Sequence, residues 1–166
     1  MPAVAAVARV SEATAYRYFP DLVSLLRAAV MTDDLVAALR SVTRGDDPVE
    51  RIGQAAEILG QATLRRQGAV RVVVASTIAR PVTAKDRPAY RFGLIEHALA
   101  PWIDRCGPAA QADVDELVRG LAVVVSAEAF FTLIDLCGLA PEAAIASLVA
   151  TAQRMTAAAV AAIPTT

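Results

Sequence analysis

Few residues in this chain are equipped to do chemistry. Its 166 residues include a single histidine, His97, and two cysteines, Cys106 and Cys137. Two thiols and one imidazole are too few for a disulfide framework or a convincing zinc site, and they leave few acid–base schemes. No phosphate-cradling glycine loop, G-x-S-x-G elbow or H-E-x-x-H pair occurs. The reading is a protein that is not an enzyme and takes neither cofactor nor metal. Glu128 has the least comfortable setting. The stretch from Gly120 to Ile134 is otherwise nearly free of charge, and a carboxylate buried there requires a partner.

Helices must carry these groups. Apolar spacing is helical almost throughout, with only the β-branched run Val70 to Ala75 hinting at strand. Pro2 suits a first helical position, and Val4, Val7 and Ala8 give two turns a small apolar stripe. Ser11 is placed to cap a second short helix running to Phe19, where Pro20 ends it. Asp21 caps the next, whose core face of Leu22, Leu25, Leu26, Ala29 and Val30 predicts one helix reaching roughly Arg40. Beyond a turn at 43–48, helices are expected at about 49–67, 69–79, 88–104, 109–136 and 141–163. Gly45, Gly68, Pro81, Gly107, Pro108, Gly138 and Pro141 stand in the breaks. The fold class is all-α.

Composition sets the surroundings. With 56% hydrophobic and 20% charged residues and a mean hydropathy of +0.48, the chain has ample material for a core. Charges or prolines interrupt the apolar runs before about 18 residues, so no membrane span is expected. Residues 1–8 lack the pattern of a signal peptide, which leads to a cytoplasmic expectation. A net charge of −1 gives no global positive field. Surplus apolar surface implies self-association.

Residues 4–26 read VAAVARVSEATAYRYFPDLVSLL. Through Val10, Ser11, Thr14, Tyr16, Tyr18, Phe19, Leu25 and Leu26, this stretch resembles the DNA-binding segment of the tetracycline-repressor-like (TetR/AcrR) family of bacterial transcription regulators. The resemblance implies a helix-turn-helix domain at 1–42, N-terminally incomplete, followed by a ligand-binding and dimerisation domain at 43–166. It also implies a repressor that binds operator DNA as a homodimer and is released by a small hydrophobic effector. A helix entering the major groove needs small or polar groups at its start and phosphate donors beside them. On that pattern the DNA-binding set is Ser11, Glu12, Ala13, Thr14, Tyr16, Arg17 and Tyr18. Glu12, Ala13 and Tyr16 face bases, the Thr14 and Tyr18 hydroxyls hold phosphates, Arg17 adds a cation, and Phe19 is core.

The chain also departs from the family pattern. The family's first helix has no counterpart ahead of the one beginning at Met1. Leu22 replaces a phosphate-binding lysine, and Arg9 replaces a glycine in the turn, where positive φ would cost a residue with a Cβ. Up to Met31, three arginines face two carboxylates, a feeble footprint for a phosphate lattice. Weak or lost DNA binding is the expectation. The chain's true start would then lie upstream, or it is a shortened relative that senses a ligand or partner protein without touching DNA.

In the body the resemblance implies a ligand pocket. Val70 to Ile78, Leu94 to Trp102 and Val114 to Leu133 are its expected walls, with Tyr90, Arg91, His97 and Glu128 as ligand-orienting groups. Trp102, Phe130 and Phe131 read as packing. The apolar stretch 120–134 and the stripe Ile145, Leu148, Val149, Ala152, Met155, Ala159 and Ile163 are expected to join a second copy in a four-helix bundle.

Overall fold

The computed structural model describes residues 1–79 and 90–164. Its helices are α1 (Pro2–Ala8), α2 (Glu12–Tyr18), α3 (Leu22–Val30), α4 (Leu35–Val42), α5 (Pro48–Arg65), α6 (Gln67–Ala79), α7 (Tyr90–Ile103), α8 (Gln111–Val124), α9 (Ala127–Asp135) and α10 (Pro141–Ala162), with a 3-10 turn at Pro108–Ala110. The fold is all-α, with no strand among the described residues. The expected break at Pro81 and helix start at Pro88 lie outside the described residues.

Local signals set the helix starts. The Ser11, Asp21, Asp34 and Ser126 side chains accept the N–H groups of Thr14, Ser24, Ala37 and Ala129, all at 2.7 to 3.1 Å. Asp21 and Ser24 form a reciprocal capping box. Arg9 sits at φ 56°, ψ 41° and closes α1 in the left-handed conformation, where the missing glycine would have been at ease.

Two predicted helices are in fact four. The helix expected to run unbroken to Arg40 stops at Val30, and Asp34 restarts the chain as α4. The expected helix 109–136 breaks at Val125 and Ser126, leaving α8 and α9 bent by 46°. In both places the apolar spacing continues across the break, while a capping side chain redirects the backbone.

The body is built on α5 against α10. Ile52, Ala55, Ala56 and Leu59 are buried on α5, as are Ala144, Ile145, Leu148 and Ala152 on α10. A Cβ on Gly60 would stand 2.9 Å from Ile145 Cγ1, so glycine lets the two helices approach closely. This corrects the expected dimer stripe. Ile145, Leu148, Ala152 and Ile163 are at most 6% exposed within a single chain, so that ridge packs inside the protomer. The segment Leu94 to Trp102 is corrected likewise: Leu94, Ile95, Ala98, Leu99 and Trp102 belong to the main hydrophobic core and do not line the cavity described below.

Arg51 is 9% exposed and ties α5 to α7. Its Nε donates to the Ala98 carbonyl at 2.7 Å, its Nη2 to the His97 carbonyl at 2.9 Å and its Nη1 to the Gly45 carbonyl at 3.2 Å. By length and composition α10 is long and apolar enough to cross a bilayer, which amends the expectation that no stretch reaches that length. Its apolar ridge is used on α5.

Candidate functional site

A cavity of about 630 Å³ lies where both unexpected helix breaks meet the body. The α3–α4 break contributes Val30, Met31, Asp33 and Leu35, and the α8–α9 break contributes Ala122, Val123, Ser126, Ala127 and Glu128. Leu59, Ala62, Thr63 and Arg66 come from α5 and its end, Val70, Val73, Val74 and Thr77 from α6, and Arg91 and Phe92 from the start of α7. Arg27 of α3 and Arg119 of α8 complete the lining. The size suits a small organic molecule, and walls of this kind hold its apolar body while a few polar groups orient it.

Arg91 and Glu128, both expected to orient a ligand, are brought together here. Arg91 Nη2 donates to the two Glu128 carboxylate oxygens at 2.9 and 3.0 Å, and its Nη1 donates to the Ala122 carbonyl at 3.2 Å. This is a partner for the stranded carboxylate. Tyr90 opens α7, and its side chain lies outside the described residues. His97 does not line the cavity. It is half-buried, and burial, followed by the charges of Arg40 and Arg51, pushes its pKa below the usual 6.5.

The sequence did not point to Arg27, Arg66 or Arg119 as cavity residues. Arg66 spans the α3–α4 break, donating from Nη1 to the Val30 carbonyl at 3.3 Å and from Nη2 to Asp33 at 2.9 Å. Arg119 is held by Glu116 one turn earlier on α8. A signal existed for Arg66 in the paired acids Asp33-Asp34, which ask for a cation, but nothing in the spacing names which one.

At the N-terminus α2 presents the expected polar set. Ser11, Glu12, Ala13, Tyr16, Arg17 and Tyr18 are exposed, Tyr16 at 47% and Tyr18 at 67%, and Thr14 is half-buried. The Ser11 and Thr14 hydroxyls lie 2.8 Å apart in one hydrogen bond, so both already take part in the cap. The Arg17 guanidinium lies 5.2 Å from the Tyr18 ring centroid. Ala15 packs inward and Phe19 is half-buried. Among the described elements, α1 and α2 pack on one another and on no other helix, and Val7 stands 86% exposed.

No protein-family model, curated protein or solved structure matches the chain.

Proposed function

We propose that the chain is a ligand-responsive transcriptional regulator of the tetracycline-repressor type, a cytoplasmic repressor that binds operator DNA as a homodimer and lets go when a small hydrophobic effector enters the cavity. It is a binding protein, not an enzyme. One observation carries this reading: the cavity is walled by the helical body, by α3, which follows α2 and packs on α6, and by the α3–α4 break. A molecule shifts a conformational equilibrium only as far as it prefers one state over the other. Contact with Val30, Met31 and Leu35 gives an effector a means of preferring one setting of the head. The exposed hydroxyls and cation of α2 supply the chemistry for phosphate contact, and the exposure of Tyr16 and Ala13 on the same helix supports their assignment to base edges.

With the ridge of α10 spent on α5, the dimer is assigned to the opposite side. There Ala143, Ala146 and Ala157 are exposed, Ala150 is half-buried, and Val123 of α8 is 71% exposed.

A second reading is favoured by the head itself. The exposed Val7 and Val10 of the α1–α2 pair, with a surplus of one positive charge up to Met31, suit a sensor of ligand or partner protein that holds DNA weakly or not at all. Selection of bound sequences from a randomised duplex library, followed by gel-shift titration at low salt, separates the two. Enrichment of a two-fold symmetric site supports the repressor, and an unenriched pool supports the sensor.

A further inference from the structure

The head group of the ligand can be read from the donors that the cavity leaves unspent. A guanidinium carries five N–H donors and no acceptor. Arg66 gives its Nη1 and Nη2 to Val30 and Asp33, and Arg91 gives its own to Ala122 and Glu128. The Nε–H of each has no acceptor among the described residues, although the two side chains are 34% and 30% exposed. The carboxylates on the lining, Asp33 and Glu128, are already engaged by these arginines. Two more guanidiniums, Arg27 and Arg119, and the hydroxyls of Thr63, Thr77 and Ser126 also line it, and the rest of the wall is aliphatic apart from Phe92.

We propose that the cavity binds an amphipathic carboxylate, with an apolar body against α5 and α6 and an anionic head taken by Arg66 and Arg91. This rests on reading the cavity as the effector site and names the chemical class of the effector. A cationic head meets four guanidiniums and two carboxylates that are already engaged by arginine. A neutral hydroxyl can accept from one edge but gains nothing from the charge.

Isothermal titration of the full chain with octanoate, 1-octanol and octylammonium, all below their micelle concentrations, tests this with one apolar chain and three heads. Octanoate is expected to bind one-to-one and about tenfold tighter than either of the others, the worth of a charge-assisted hydrogen bond. Arg66→Gln and Arg91→Gln should each remove most of that preference, weakening octanoate by a much larger factor than octanol. Should either variant fail to fold, Glu128→Gln gives the converse check: freeing Arg91 from its carboxylate should tighten octanoate. Equal binding of all three probes, or weaker octanoate binding by Glu128→Gln, overturns the head-group assignment and leaves the cavity as an apolar effector site. Binding of none of them overturns both.

Discussion

Arg51 supplies the hydrogen bond that Pro101 removes. Within α7 the carbonyl of His97 faces residue 101, whose ring nitrogen bears no proton, and Arg51 Nη2 donates to that carbonyl at 2.9 Å. This buried arginine thus has a backbone reason for its place, three carbonyls from two segments.

Arg51→Met should therefore cost about 2 to 4 kcal/mol, because buried acceptors lose their donor. Pro101→Ala restores an N–H beneath His97, so in the Arg51→Met background it should recover about 1 kcal/mol. A double-mutant cycle by urea denaturation checks the coupling. Strictly additive effects would separate the two residues.

Acid should weaken the fold through His97. Its pKa is lowered in the folded chain by burial and by Arg40 and Arg51, so the unfolded chain binds the proton more readily. The neutral imidazole contributes its full share above the usual 6.5, and that share is lost as pH falls through the lowered value. His97→Gln should flatten the urea midpoint between about pH 7 and pH 5.5 relative to the parent chain. A parallel decline in both proteins would assign the pH dependence to other groups.

Ala150 and Ala152 should answer differently to the same change. Two residues along a helix turn the side chain by about 200°, so they face opposite ways. Ala152 is fully buried against the core and Ala150 is half-buried on the other side. Ala152→Asp buries an unpaired carboxylate and should cost more than about 3 kcal/mol, abolishing cooperative unfolding. Ala150→Asp should keep the helical circular dichroism and sediment as monomer. A folded Ala150→Asp dimer would move the interface to another surface.

Filling the cavity should abolish binding without harming the fold. Ala62 lines it from α5, and Ala62→Phe places a ring in the space that a ligand would occupy. Melting temperature should stay within about 3 °C of the parent, the change that ~1 kcal/mol makes in a chain of this size. Octanoate affinity should fall at least about tenfold, since the apolar contact area is taken. Retained binding in a folded Ala62→Phe chain would place the ligand elsewhere.

What the sequence made legible follows how local each cause is. Ser11 and Asp21 each act on the turn beside them, so the starts of α2 and α3 were readable. The ridge of α10 was readable as apolar but not as α5's partner, because periodicity names a buried face and not what covers it. The α3–α4 and α8–α9 breaks were hidden for a different reason. Leu35 and Leu39 continue the apolar spacing past Val30, and Phe130 and Phe131 continue it past Val125, so only Asp34 and Ser126 mark the turns. Those same two breaks line the cavity, which is why Arg66 and Asp33 went unseen while Glu128's need for a partner could be read directly.

The most direct measurement is fluorescence anisotropy of a duplex chosen by selection from a randomised library, titrated with the chain and with its Tyr18→Phe variant, in the presence and absence of octanoate at several salt concentrations. A ligand-responsive repressor binds the selected duplex more tightly than a scrambled one, with affinity falling as salt rises. Tyr18→Phe should cost about 0.5 to 1.5 kcal/mol on both duplexes, since a phosphate contact carries no sequence information. Octanoate should weaken binding to the selected duplex. Equal affinity for selected and scrambled DNA, unmoved by octanoate in a folded chain, would contradict a DNA-reading role for α2.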